Sequence, residues 1–387
     1  MKIAYVIDSL ASKGGAERIL SDKMNYMAEV LGYEVYVITC YQHPEEDSNV
    51  YHLSDKVRQV NLQIRYYRQY HYKYPMRLWV KYNINRKLLF DLTETVQRIN
   101  PDVLVGLGYF KADVVTGIEC RAVKVVESHE ARIYTMLDIG YSHSFFSNVF
   151  LRIYRKHYLQ RVERQADVIV VLTKEDAKEW SKAKRVEVIP NFTMMPVWKL
   201  STCENKRVIA AGRLEWQKGF DQLVESWNIV HRRYPDWHLD IFGSGTMELT
   251  LKRSICSLGL DQVISIHPYT SDINKEYSES SIFALSSRYE GFGLVLLEAM
   301  QSGLPCVTFD CPFGPKMVVS DHKTGLVVKN GDIKAFADKL CCLIANENMR
   351  KQFSREAVER AKLFDVKEVM NQWKQLFESL LLHPRAK

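Results

Sequence analysis

Two glutamates eight positions apart, Glu290 and Glu298, bracket a glycine turn at Gly291-Phe292-Gly293. The apolar run Ile282-Phe283-Ala284-Leu285 before them reads as a buried strand, and Leu294, Leu297 and Ala299-Met300 after them resume at helical spacing. A strand, a glycine turn and a helix start form an anion site, because the first N–H groups of a helix have no partner within it. The glycines also let backbone approach a ligand closely. A carboxylate at the rim and a second inside the helix suit hydroxyls, not phosphate. Phosphate together with hydroxyls describes a sugar nucleotide.

Other residues could complete such a site. Arg213 and Lys218 stand five apart in Gly212-Arg213-Leu214-Glu215-Trp216-Gln217-Lys218-Gly219. A planar fork and a point charge can clamp a diphosphate. Exposed cations are ordinarily just surface, but a position directly after a strand, between glycines, favours a ligand role. His129, in Glu127-Ser128-His129-Glu130, ends another strand. There it could act as acid, base or hydrogen-bond donor, or be a histidine packed into a turn. Gly14-Gly15 follows the first strand and either approaches a phosphate or makes a tight turn; its spacing lacks the GxGxxG of dinucleotide sites. No HxxxH, His-Cys or suitably placed Asp-x-Asp cluster appears, so no metal site is expected.

These residues need strands that end in loops along one edge. The segment from Met1 to Leu10 reads as a strand, Ala16 to Leu31 as a helix stopped by Gly32, and Glu34 to Thr39 as a second strand. This βαβ opening implies a parallel sheet. Leu88 to Ile99 reads as a helix stopped by Asn100-Pro101, and strands follow near 102–106, 124–128, 166–173 and 185–189. Phe192 to Asn205 shows neither period and reads as a linker. Alternation then restarts, with strands near 207–211, 238–242, 263–267, 282–285, 305–309 and 325–328, and the chain is helical from Asp332. The expected domains are 1–191, with 366–387 reaching back to it, and 206–365, joined by 192–205. Two such sheets would face each other across a cleft, with ligands at the carboxyl ends of the strands.

At 387 residues the chain is long enough for two domains, and 47% hydrophobic with 26% charged residues suits a globular protein. The net charge of +7 is uneven: residues 1–200 hold 29 Lys and Arg against 23 Asp and Glu, and residues 201–387 hold 24 against 23. Lys56 to Phe90 carries nine basic residues, no acid, and seven Tyr or Trp. That mixture suits an anionic membrane surface or single-stranded nucleic acid, or is a solvated face. Nucleic acid is disfavoured, because the excess is local and no recognition module appears. The eight cysteines contain no CxxC and read as reduced thiols. With no signal-peptide pattern and no membrane-spanning apolar run, a cytoplasmic protein is expected, meeting a membrane only from its surface.

The chain resembles the retaining family-4 glycosyltransferases of GT-B fold, two Rossmann-like α/β domains. The resemblance covers essentially its whole length. It is carried by Gly14-Gly15-Ala16-Glu17-Arg18, by Gly212-Arg213-Leu214 with Lys218-Gly219, and by Glu290-Gly291-Phe292-Gly293 with Glu298, the family's Glu-x7-Glu motif. It implies that Glu298 holds the donor ribose and Glu290 the transferred sugar, with backbone amides around Phe292, Gly293 and Leu294 on sugar and phosphate. It implies Arg213 and Lys218 on the diphosphate, with Gly14 and Gly15 closing over it. His267-Pro268-Tyr269 would hold the base largely by backbone, and His129 would touch the donor sugar, in a less usual sequence context. No cofactor or metal is implied beyond the nucleotide-sugar co-substrate, favoured as a UDP-sugar. The acceptor implied is a glycan or polyprenyl-linked glycan of surface polysaccharide biosynthesis. The alternatives are a GT-B nucleotide-sugar epimerase, which the Glu-x7-Glu match speaks against, and a non-catalytic nucleotide-sugar-binding protein associated with a membrane.

Overall fold

A computed structural model describes residues 1–11, 14–41, 49–108, 111–133 and 145–382, the side chains of 145–152 excepted. Ser12 and Lys13 of the first glycine turn lie outside the described residues. The chain divides into two compact units, Met1–Ile189 with Met370–Lys387, and Pro190–Val369.

The first unit runs β1 (Lys2–Ile7), α1 (Gly15–Glu29), β2 (Glu34–Thr39), β3 (Val57–Asn61), α2 (Met76–Ile99), β4 (Val103–Leu107), α3 (Ala112–Gly117), β5 (Val123–Ser128), α4 (Phe145–Gln165), β6 (Val168–Val171), α5 (Lys174–Glu179) and β7 (Val186–Val188). Its seven strands lie parallel in the order β3-β2-β1-β4-β5-β6-β7. Residues Ile3 to Ile7 are buried throughout, as in a central parallel strand covered on both faces. Helix α1 turns Ile19, Leu20, Met24 and Met27 inward, the expected stripe.

The segment 56–90 holds elements for which its sequence showed no period. Its start, β3, edges the sheet beside β2. A short 3-10 turn at Tyr66–His71 follows, and α2 begins at Met76, not Leu88. Buried positions of α2 begin only at Leu88, so the earlier turns carry no apolar stripe to read. They project Met76, Leu78, Trp79 and Tyr82 into solvent. Asn100, left-handed at φ 49°, ends the helix as expected.

The second unit runs β8 (Arg207–Ala211), α6 (Phe220–Arg233), β9 (His238–Phe242), α7 (Glu248–Ser257), β10 (Ile264–His267), α8 (Ile273–Ser278), β11 (Ile282–Leu285), α9 (Leu294–Gln301), β12 (Cys306–Asp310), α10 (Pro315–Val318), β13 (Gly325–Lys329), α11 (Ile333–Ala345) and α12 (Glu347–Ala361). Its six strands are parallel in the order β10-β9-β8-β11-β12-β13. Phe220, Leu223, Val224, Trp227 and Val230 form the buried stripe of α6, within a core that also holds Ile241, Phe309 and Phe336. The aperiodic stretch 192–205 packs as a strap on this unit. Ser201 N donates to Ser302 O at 2.9 Å, and the buried Arg350 donates from Nε to Cys203 O at 2.9 Å. Arg350 also reaches Leu343 O and Ile344 O, so its guanidinium serves three backbone carbonyls that α11 and the strap leave over.

The last helix, α13 (Val366–Leu382), starts in the second unit, and from Met370 onward belongs to the first. Met370, Trp373, Phe377 and Leu380 are buried at helical spacing. All eight cysteines are unpaired. Among the described residues no helix is long and apolar enough to cross a membrane.

Candidate active site

In the second unit the chain reverses its winding between β8 and β11, which pair directly. Loops leaving adjacent strands in opposite senses open a crevice at that point. Here the loops after β8 and β11 line it. Gly219 ends the first loop at φ +62°, and a Cβ there would stand 2.1 Å from Ser286 O, so only glycine fits. The loops are laced together: Arg288 N donates to Gln217 O at 2.8 Å, Gln217 Nε2 to Tyr289 O at 3.1 Å, and Ser286 Oγ to Lys218 O at 3.0 Å. Arg288 forks onto Asp221 at 2.9 and 2.6 Å and lies over the Trp216 ring.

This lacing brings Lys218 Nζ to 2.7 Å from Glu290 Oε1, which also accepts from Ser287 Oγ at 2.6 Å. The Glu290 side chain is 6% exposed and that of Lys218 15%. Gly314, after β12, closes on Glu290 from another side; a Cβ there would lie 2.8 Å from Glu290 Cβ. Arg213 is exposed, with Nη2 3.3 Å from Gln217 Oε1. Gly293, at φ +87°, caps α9, so Leu294 opens the helix, and Glu298 is buried within it. The N-terminus of α9 thus offers backbone N–H groups beside a buried carboxylate. The Phe292 ring is buried against Phe364. Gly291 lies in the turn between Glu290 and Phe292.

His267 ends β10, two strands from the crevice. Its Nε2 lies 2.6 Å from Asp240 Oδ1, its ring stacks on Phe242 at 4.5 Å, and its carbonyl accepts from Gly243 N. The side chain is thereby occupied, and Pro268 with the exposed Tyr269 continues the rim. Asp240 in turn takes Arg207 Nε at 2.5 Å.

The first unit holds Gly14, Gly15 and His129. Gly14 caps α1 with ordinary φ, and a Cβ there would meet only the end of the Glu17 side chain, which can swing away, so neither φ nor space requires glycine. Gly15 is the first residue of α1. His129 follows β5, and its Nε2 is 3.2 Å from Glu127 Oε2. The same oxygen takes the ammonium of Lys23, a residue of α1 that is 1% exposed. Lys23 Nζ lies 4.2 Å from the Trp373 ring centre and 5.4 Å from that of Tyr5. Burial alone would raise the Glu127 carboxyl, but the Lys23 charge and the His129 bond outweigh it and hold it below the usual carboxylate range. The stretch after His129 is pinned: Arg132 N donates to Asp176 Oδ1 at 2.8 Å, and its guanidinium reaches Glu163 and faces Trp180.

The sequence reading missed Lys23, Glu127, Ser287, Asp221 and Asp240 as parts of these arrangements. Lys23 had a signal, since it sits between Ile19 and Met27 on the apolar stripe of α1. Glu127 and His129 share a strand face by their spacing of two.

The family model for Glycosyltransferase Family 4 matches residues 13–193, and that for glycosyl transferases group 1 matches residues 199–360. A glycosyltransferase of Haemophilus influenzae is 29% identical over 384 residues, 96% of this chain and 99% of that protein. The amylovoran biosynthesis glycosyltransferase AmsD of Erwinia amylovora is 31% identical over 54% of this chain and 62% of its own length. The structure of S. aureus TarM with UDP and alpha-GlcNAc-glycerol has a TM-score of 0.78 at 15% identity, covering 97% of this chain and 99% of that one. The two parallel-sheet units are therefore those of the GT-B fold. A match to a Family 4 domain followed by one to a group 1 domain spans nearly the whole chain, and the chain is a glycosyltransferase.

Proposed function

We propose that this glycosyltransferase moves a hexose or N-acetylhexosamine from a UDP-sugar to a glycan or polyprenyl-linked glycan, with retention and without a metal ion. The observation that carries the donor half is the pairing of Lys218 with Glu290 at the crevice, beside the start of α9 and Glu298. The UDP bound in TarM supports the nucleotide, and the amylovoran relative supports a polysaccharide product.

Breaking a sugar–phosphate bond leaves positive charge on the anomeric carbon and negative charge on the diphosphate. Groups fixed before the reaction stabilise that separation without reorganising. Arg213, Lys218 and the α9 N-terminus take the diphosphate in this reading, and Glu298 the ribose hydroxyls. An arriving diphosphate competes for the Lys218 ammonium and frees Glu290 oxygens for sugar hydroxyls. Glu290 is then a positioner, and the leaving phosphate oxygen takes the acceptor's proton. Pro268 and Tyr269 offer backbone to the base, Gly14 and Gly15 approach the diphosphate, and His129 bonds a hydroxyl of the transferred sugar.

The acceptor side is proposed at an anionic lipid surface on the cytoplasmic face. Trp79, Tyr82, Arg86 and Phe90 of α2 are all exposed and recur at helical spacing opposite buried Leu88 and Leu92. Nearby Tyr70 and Tyr74 are exposed, and Arg77 lies 4.6 Å from the Tyr70 ring centre. Rings with a polar tip, set among basic side chains, match the headgroup layer.

A thermal-shift panel of nucleotide sugars tests the donor reading. One UDP-sugar should raise the melting point by linkage, and Glu298→Ala should abolish the rise. A full shift in that variant would remove the ribose assignment. Unchanged transfer in excess chelator is expected, and its loss would remove metal independence.

A further inference from the structure

We infer that Lys23, Glu127 and Trp373 are positioning residues that lock His129 in one tautomer, leaving Nδ1 as a bare acceptor for a substrate hydroxyl. The inference rests on the proposed contact between His129 and the transferred sugar.

The geometry begins at Glu127 Oε2, shared by Lys23 Nζ and His129 Nε2. An ionised carboxylate can only accept, so Nε2 carries the proton. In a neutral imidazole the other nitrogen, Nδ1, is then unprotonated. The Lys23 ammonium keeps Glu127 ionised although its side chain is only 3% exposed. Without that cation, burial would favour the carboxylic acid, which can donate to Nε2 and invert the tautomer. Trp373 lies over the ammonium at 4.2 Å, and its quadrupole stabilises a cation there. A residue of the last helix thus acts through one of the first helix on a residue at the end of β5.

A second observation points to a ligand. The His129 side chain is 7% exposed, and Nδ1 has no hydrogen-bond partner among the described residues. Buried polar atoms are rarely left so, because the lost hydration goes uncompensated. A hydroxyl proton from a bound sugar satisfies Nδ1. The role assigned is hydrogen-bond acceptor, narrower than the acid, base or donor roles open to the sequence.

The test uses the full chain labelled with 15N-histidine, with the His129 resonances identified by His129→Gln. Long-range proton–nitrogen spectra distinguish protonated from unprotonated ring nitrogens directly. The wild type should show Nε2 protonated and Nδ1 not. Glu127→Gln should lose this single form, because an amide can donate or accept. Lys23→Met leaves a lone buried carboxylate and can fail to fold, so Lys23→Met/Glu127→Gln, without either charge, is measured beside it and should also lose the single form. Trp373→Phe, which keeps a ring over the ammonium, should retain it. Glu127→Gln should lower kcat/KM about tenfold, the worth of one hydrogen bond to substrate. A wild-type His129 protonated on Nδ1 would overturn the inference, as would a folded double variant that keeps the wild-type spectrum. If the spectra behave as stated but His129→Gln transfers sugar at the wild-type rate, the lock stands and the donor-sugar contact falls.

Discussion

Lys218→Met, Glu290→Gln and the double variant form a cycle that measures the pair at the centre of the crevice. Exposed ion pairs contribute about 0–1 kcal/mol, whereas removing one partner of a buried pair costs about 3–5 kcal/mol. At 15% and 6% side-chain exposure this pair lies nearer the second case, but Ser287 still donates to Glu290 when Lys218 is gone. Lys218→Met, which keeps the apolar stem, should therefore cost about 2–3 kcal/mol without ligand. Glu290→Gln retains an acceptor for Ser287 and leaves an ammonium that can turn to water, so it should cost about 1 kcal/mol. The double variant has neither charge and should resemble Glu290→Gln, a coupling of about 2 kcal/mol. Urea unfolding followed by tryptophan fluorescence reads this out, since Trp227 and Trp237 are buried in the same unit. The Lys218→Met midpoint should fall by about 1 M. In saturating UDP the coupling should shrink, because the ammonium is then shared with the diphosphate. Costs that add to within about 0.5 kcal/mol without ligand would refute the pairing. A coupling that UDP leaves unchanged would refute the exchange of Lys218 from Glu290 to phosphate.

Two further outcomes concern the first unit. Liposome flotation should show binding to vesicles rich in anionic lipid and not to neutral ones; Arg77→Glu/Arg86→Glu should weaken it, roughly fivefold for each basic charge lost, and Trp79→Ser/Phe90→Ser should weaken it as well. Equal flotation of all these variants would remove the membrane surface from α2. Asp176 is buried and its carboxyl is pushed by that burial from 3.8 up to about 6. A raised acid binds its proton earlier in the folded state, so stability from this group increases as pH falls through 6 toward 3.8. Between about pH 7 and 5 the gain is about 1 kcal/mol, and Asp176→Asn should erase that part of the unfolding pH profile. The same slope in both proteins would refute the assignment.

The second unit was more legible than the first for a physical reason. Its strands are buried on both faces, so Ile282-Phe283-Ala284-Leu285 and its like read as apolar runs between glycine turns. The strand β3 did not, because at an edge Val57-Arg58-Gln59-Val60-Asn61 buries only its first residue deeply. The start of α2 escaped because its apolar residues face solvent, inverting the cue on which periodicity depends. Within the candidate site, spacing singled out Lys218, Glu290 and Glu298 as candidates, but not the contact between the first two. That contact depends on Gly219 passing against Ser286 and on Arg288 tying Asp221, a register that only the folded loops define. Trp373 over Lys23 was also out of reach: the return of 366–387 to the first unit was expected, but not which of its residues would meet α1.

The two lysine–glutamate pairs use one chemistry at different depths, and depth separates their roles. Lys218 and Glu290 sit at the rim of a crevice, where an incoming anion can reach the ammonium and take it over. Lys23 and Glu127, at 1% and 3% side-chain exposure under an indole ring, are closed to any such competitor. A charge pair that must open for substrate cannot be sealed, because separating fully desolvated ions would cost more than a diphosphate contact returns. A charge pair that must hold an imidazole in one protonation pattern through every turnover cannot be open, because water would offer the carboxylate and the ring other partners. In the proposed reading the first pair therefore meets a ligand's charge, and the second stands behind the residue that meets the ligand.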